Sequence, residues 1–157
     1  MPTSPQLKLF PPTVVIRHPH EKPEKCSIWP LRHRADFLFL IHPVKVRPAL
    51  EGYIRLAADG PELSGRDAEL GLLLLDSSWR RLGPMSRLFL DVPARSLHGY
   101  RTAYPRRSKV FDDPENGLAS VEALFVAYQI LGRPTDGLLE HYRWADEFLR
   151  INRFTAF

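Results

Sequence analysis

Cysteine is nearly absent from this chain: Cys26 is the one thiol among 157 residues. That excludes an intrachain disulfide and a cysteine-based zinc site. No apolar run approaches 18 residues, so no transmembrane helix is encoded. The proline-rich, nearly uncharged segment Met1–Pro12 lacks the basic start and apolar stretch of a signal peptide. Six histidines are present, without the spacing of metal ligands. His18 and His20 fall on the same side of an extended segment, but no third ligand accompanies them. Internal repeats are missing too. The composition that remains, 44% hydrophobic and 25% charged, is ordinary for a folded domain. We expect a loose extension over 1–12 and a single domain over 13–157, a monomer in a reducing cytoplasm.

Lysine is also scarce, with five residues beside 17 arginines, and the net charge is +4. Arginine's planar fork binds phosphate bidentately and stacks on bases, so a basic, arginine-heavy chain leans toward nucleic acid. A GC-rich genome has the same effect on composition, and the bias alone does not separate the two causes.

Hydrophobic patterning divides the chain. Thr13–Arg17, Asp36–Ile41, Tyr53–Ala57 and Leu72–Leu75 read as strands, the second and fourth buried. The charge-dense stretch from His18 to Arg34 reads as a loop with one helical turn around Ile28–Leu31. Ser64 and Asp67 sit three apart as a capping box. Ser86–Asp91 fits either a strand or a helical turn. Two helices are predicted near the end, a central one over Leu118–Leu131 with Gly132 as its cap, and an amphipathic one over Leu138–Asn152. The sum is an α/β fold with a mostly parallel sheet. The connection from Arg95 to Gly117 is too long for mere linkage and reads as a functional loop.

The segment Gly71-Leu-Leu-Leu-Leu-Asp-Ser-Ser-Trp79 is the most informative. Four leucines suit a strand buried on both faces. At the carboxyl end of such a strand, where α/β folds bind ligands, come a carboxylate, two hydroxyls and an indole. They suit a small molecule with a ring. Equally, Asp76 or Ser77 caps the next turn and Trp79 belongs to the core.

Seven short motifs in order resemble the aminocarboxypropyltransferases that modify small-subunit ribosomal RNA during ribosome biogenesis. They are Lys25-Cys-Ser27, Leu63-Ser-Gly-Arg-Asp67, Asp76-Ser-Ser-Trp79, Arg95-Ser-Leu-His98, Ala103-Tyr-Pro105, Leu118-Ala-Ser-Val-Glu-Ala123, and the closing run from Leu138 through Trp144 to Asn152. Each is weak singly; together they span Lys25 to Asn152. The chain departs from the pattern at Ala57, His98 and Tyr104, which replace proline, proline and asparagine, and in extra residues over Phe111–Gly117.

The resemblance implies a SPOUT-like parallel sheet flanked by helices, with a trefoil knot in the carboxy-terminal part. It implies S-adenosylmethionine as cofactor and transfer of its 3-amino-3-carboxypropyl group to the imino nitrogen of a uridine or pseudouridine. By the same resemblance Leu56, Leu97, Leu118 and Leu124 line the adenine and ribose pocket. Trp79 walls off the methyl group. Ser27, Ser120 and the amides near Ala123 hold the amino-acid end; a helix start there suits a carboxylate on physical grounds too. Asp76 is the nearest carboxylate to take the proton, or else it orders the loop and water takes it. RNA contact falls to Lys22, Lys25, Arg32, Arg34, Arg101, Arg106, Arg107 and Lys109, each of which also fits a solvated surface charge. No metal is required. A related target, transfer RNA, and a non-catalytic RNA-binding assembly factor remain as alternatives.

Overall fold

The four leucines of the central strand are shared evenly between two cores. In the computed structural model, which describes residues 10–22, 26–105 and 117–154 (backbone only at 79 and 80), strand β4 runs Gly71–Asp76. Leu72 and Leu74 point into one apolar cluster and Leu73 and Leu75 into the other. Alternation along a strand sends successive side chains to opposite faces, so an unbroken apolar run needs cover on both. Strand β1, Thr13–Arg17, does the same, with Val15 on one face and Val14 and Ile16 on the other.

The other strands are β2 (Phe37–Ile41), β3 (Tyr53–Leu56) and β5 (Ala94–Arg95). They form one sheet in the order β2-β1-β4-β3-β5, with every pairing parallel. The buried strands β1 and β4 sit centrally, and all carboxyl ends lie along one edge. In the register, Arg17 stands beside both Ile41 and Asp76. The α/β, parallel-sheet expectation therefore holds. β5, only two residues long, is too short to leave a periodicity in the sequence.

Helix α1 (Trp79–Ser86) and the 3₁₀ turn Arg87–Phe89 cover one face through Met85 and Phe89. Of the two options for Ser86–Asp91, the helical turn is the one formed. Pro84 lies inside α1. Its missing N–H and the flexible Gly83 before it hide this helix from a sequence reading. Helix α2 (Ser120–Leu131) and α3 (Ala145–Ile151) cover the other face. Gly132 ends α2 in the left-handed conformation, φ 71°, as predicted. Ser64 and Asp67 form their capping box on a short 3₁₀ turn.

The last helix is shorter than expected. Residues 137–144 form successive turns with i→i+3 bonds from Glu140 to Gly137 and from Tyr142 to Leu139. Side chains in this stretch are held from outside: Tyr142 donates to Glu122, and Trp144 packs edge-on against Tyr104 at 5.0 Å and Tyr142 at 5.8 Å. The apolar stripe survives all the same, with Leu138, Tyr142 and Phe148 buried. Tertiary packing has overridden the helical period.

Gly71 is a required glycine. A Cβ there would lie 2.5 Å from the ring of Tyr53, whose hydroxyl donates to the carbonyl of Pro12.

Candidate active site at the carboxyl edge of the sheet

β4 delivers Asp76 to the sheet edge on the same face as Leu72 and Leu74, where the amino end of α2 arrives. The Asp76 carboxylate is buried and takes three side-chain hydrogen bonds. Ser120 Oγ donates to Oδ1 at 2.6 Å; Arg17 Nε and Cys26 Sγ donate to Oδ2 at 3.3 and 3.0 Å. Ser27 joins the group by accepting the N–H of Val121, 3.2 Å away. Three motifs separated by about 50 and 40 positions in the chain thus meet around one carboxylate.

Charge explains the arrangement. Arg17 ends β1 directly after the apolar run Val14–Ile16, is 5% exposed, and stacks over Trp29 at 4.4 Å. A buried guanidinium beside a buried carboxylate is tolerable only with further hydrogen bonds, which Cys26, Ser120 and the carbonyl of Glu21 supply. Burial and the neighbouring Asp76 charge push the Cys26 thiol up to about 12. Cys26 is therefore a hydrogen-bond donor at neutral pH and not a nucleophile.

The first turn of α2 opens on this cluster. The helix itself offers no acceptor to the amides of Ser120, Val121 and Glu122, because these belong to its first turn. The Ala123 N–H is committed to the Ala119 carbonyl at 2.9 Å and the Val121 N–H to Ser27 Oγ at 3.2 Å. Next to Asp76, the Ser77 hydroxyl is buried without a hydrogen-bond partner among the described residues. A buried polar atom left unpaired at a strand end fits a site shaped for a polar ligand.

The expected pocket leucines share one cluster on this face. Leu124 is fully buried, while Leu56, Leu97 and Leu118 are half-buried against it. Leu97 also borders an open hollow of about 250 Å³ with His98, Gly99, Tyr100 and Arg101. Asn152 grips the Arg101 peptide from both sides, accepting its N–H at 2.7 Å and donating to its carbonyl at 2.8 Å. Trp79 opens α1 directly after the cluster, but its side chain lies outside what the structure describes.

Among the basic residues, Lys22, Arg32 and Arg101 are exposed. Arg32 stacks over Trp29 at 4.5 Å. Arg34 is occupied otherwise: it forks onto Asp36 at 3.0 and 3.1 Å and donates to the Asp136 carbonyl at 2.9 Å. Lys25, Arg106, Arg107 and Lys109 lie outside the described residues, as does most of the extra length in Phe111–Gly117. Of the departing residues, His98 hydrogen-bonds Ser96 through Nε2 at 2.9 Å, and Tyr104 packs on Trp144.

Two important residues were not singled out by sequence reasoning. Arg17 looks like the polar end of a strand. Glu122 is 0% exposed, in the first turn of an apolar helix, and gathers four donors: Thr102 Oγ1 (2.6 Å), the N–H groups of Ala103 and Ala119 (2.8 Å each) and the Tyr142 hydroxyl (3.0 Å). The only signal was a lone charge at the third position of α2.

A solved structure of the SAM-dependent rRNA:acp-transferase Tsr3 from Vulcanisaeta distributa aligns with this chain at a TM-score of 0.70 and 24% sequence identity, covering 92% of this chain and 80% of that one. No protein-family model matches the sequence, and no curated protein matches it either. At that identity the likeness carries the fold: the chain is folded as that transferase is.

Proposed function

We propose that this chain transfers the 3-amino-3-carboxypropyl group of S-adenosylmethionine to the imino nitrogen of a uridine or pseudouridine in small-subunit ribosomal RNA. The observation that carries the reading is the meeting of the Lys25-Cys-Ser27, Asp76-x-Ser-Trp79 and Leu118–Ala123 motifs around the Asp76 carboxylate, at the ligand-binding edge of a parallel sheet. The shared fold with an rRNA:acp-transferase adds to it.

The cofactor supplies a sulfonium whose three attached carbons are all electrophilic, so the group transferred is decided by which carbon is presented in line. In this reading Ser27, Ser120 and the first-turn amides of Ser120 and Glu122 hold the amino-acid carboxylate, with the helix dipole favouring its charge. Leu56, Leu97, Leu118 and Leu124 enclose the adenosine. Trp79 walls off the methyl and leaves the longer arm facing the RNA. The carbon–sulfur bond to that arm breaks, a carbon–nitrogen bond forms to the base, and methylthioadenosine leaves uncharged, so no acid is needed. The imino proton passes to water or to Asp76.

The hydrogen bonds Asp76 already accepts support an ordering role. As base it would use the remaining capacity of Oδ1. Lys22, Lys25, Arg32, Arg101, Arg106, Arg107 and Lys109 are the proposed phosphate contacts; Arg34 serves the fold in this reading. The proposal extends to a carboxy-terminal trefoil knot, to the domain limits 13–157 and to a cytoplasmic setting.

Thermal unfolding with and without S-adenosylmethionine tests it. A ligand at 100 times its dissociation constant stabilises the folded state by about 2.7 kcal/mol, and the melting temperature should rise accordingly. No rise at saturating ligand favours a non-catalytic RNA-binding factor.

A further inference from the structure

Three imidazoles outside the Asp76 cluster stack at the same sheet edge. β1 ends at Arg17, and the chain turns through Pro19, closed by the Glu21 N–H to the His18 carbonyl at 3.0 Å. β2 ends at Ile41, the register partner of Arg17, so His18 and His42 follow side by side. The His18 ring lies 5.1 Å from that of His20 and 5.7 Å from that of His42, with interplanar angles of 29° and 24°. Backbone bonds anchor the stack. The His18 N–H donates to the Asp76 carbonyl at 3.0 Å and the His42 N–H to the Arg17 carbonyl at 2.8 Å.

His18, the middle ring, is held toward its neutral form. The His20 N–H donates to His18 Nδ1 at 3.2 Å, which places the proton of the neutral His18 ring on Nε2. Partial burial, then the positive charge of Arg81 on α1, then the flanking imidazoles, lower the pKa of His18; Glu21 opposes them weakly. Rings lying face to face do not converge their lone pairs on one point. Accordingly, no metal-binding group of three such side chains occurs among the described residues.

We infer that the His18–His20–His42 stack is a platform for a nucleobase of single-stranded RNA flanking the base presented to the Asp76 site. His20, at one end, is exposed, and Lys22 stands exposed two residues on. Glu21 binds the turn to the start of α1 by accepting the Ser78 N–H at 2.6 Å, so the platform adjoins the helix that Trp79 opens. Flat faces beside cations are what splayed-out single-stranded bases stack on, and such stacking tolerates sequence. This inference rests on the reading of the chain as an enzyme acting on RNA.

The test uses the full chain with a short single-stranded RNA carrying 2-aminopurine, whose fluorescence falls on stacking. His20→Ala should weaken binding about 5- to 100-fold and abolish the quenching. His20→Phe, which keeps a flat face, should retain both. The salt dependence should not change in either variant, since no phosphate contact is lost. Both should keep the wild-type stabilisation by S-adenosylmethionine, which also reports that they fold. Equal binding by His20→Ala and wild type, or equal loss in the Ala and Phe variants, overturns the platform. Stabilisation by the cofactor without oligonucleotide binding overturns the platform alone. Failure of the wild type to respond to either overturns the proposed function with it.

Discussion

Asp76 and Arg17 form a buried pair whose side chains are only 10% and 6% exposed. Removing one charge from such a pair leaves the other without compensation, at a cost of about 3–5 kcal/mol. Asp76→Asn should therefore lower stability by roughly 3 kcal/mol and weaken cofactor binding with it, since Ser120 loses its charged acceptor. Chemical denaturation and cofactor titration of the variant measure both. A variant that stays stable and binds the cofactor, yet transfers nothing, would make Asp76 the base instead. Cys26 offers a second check. With its thiol pushed up to about 12 from an ordinary 9.0, it should carry roughly a thousandfold less thiolate near pH 8 than a free cysteine. Alkylation by iodoacetamide should be correspondingly slow in the folded protein and normal in denaturant. Rapid labelling of the native chain would contradict the Cys26–Asp76 bond.

Among the elements, α2 has the largest role, because its first turn faces the site and its Glu122 fastens the segments on either side of the 106–116 connection. Thr102 and Ala103 precede that connection and Ala119 follows it; all three donate to the one carboxylate. Glu122→Gln keeps the shape but replaces one accepting oxygen with an amide NH2 that itself donates, facing donors that need an acceptor. A loss of about 3 kcal/mol follows from the unpaired groups, or roughly 6–12 °C in melting temperature for a chain of this size. A variant melting within a degree of wild type would show the carboxylate to be dispensable.

The same elements mark what the sequence made legible. β1, β2, β3 and β4 announced themselves because short apolar runs between turn residues have few other uses. α2 and its glycine cap followed from local rules. α1 did not, with Gly83 and Pro84 inside it, and residues 137–144 kept a helical stripe while folding as turns around Tyr142 and Trp144. In the candidate site, Asp76 was legible from its place at the end of the leucine strand, while Ser27 and Ser120 came through motif resemblance. Arg17 and Glu122 were not legible, because a buried charge is defined by partners 59 residues away or by four donors from three segments.

For the whole molecule, the all-parallel sheet is what makes one site out of distant motifs. Every strand ends on the same edge, so residues following β1, β2 and β4 assemble there whatever their separation in the chain. The side-chain cluster around Asp76 and the imidazole stack beyond it share that edge, and the backbone bond from His18 to Asp76 joins them. Exposed Lys22 and Arg32 lie between β1 and β2 in the chain, and they are the proposed phosphate contacts nearest that edge in sequence. Phosphate contacts of that kind make RNA affinity fall steeply with salt.

In the proposed reaction a pocket presents the longer arm of a sulfonium, and not its methyl, to RNA. Two preparations of S-adenosylmethionine separate the possibilities, one labelled in the carboxyl carbon and one in the methyl group, each incubated with the chain and small-subunit ribosomal RNA. Carboxyl label should appear in the RNA, with methyl label retained in released methylthioadenosine. Methyl label in the RNA, or neither label there, would contradict that reaction.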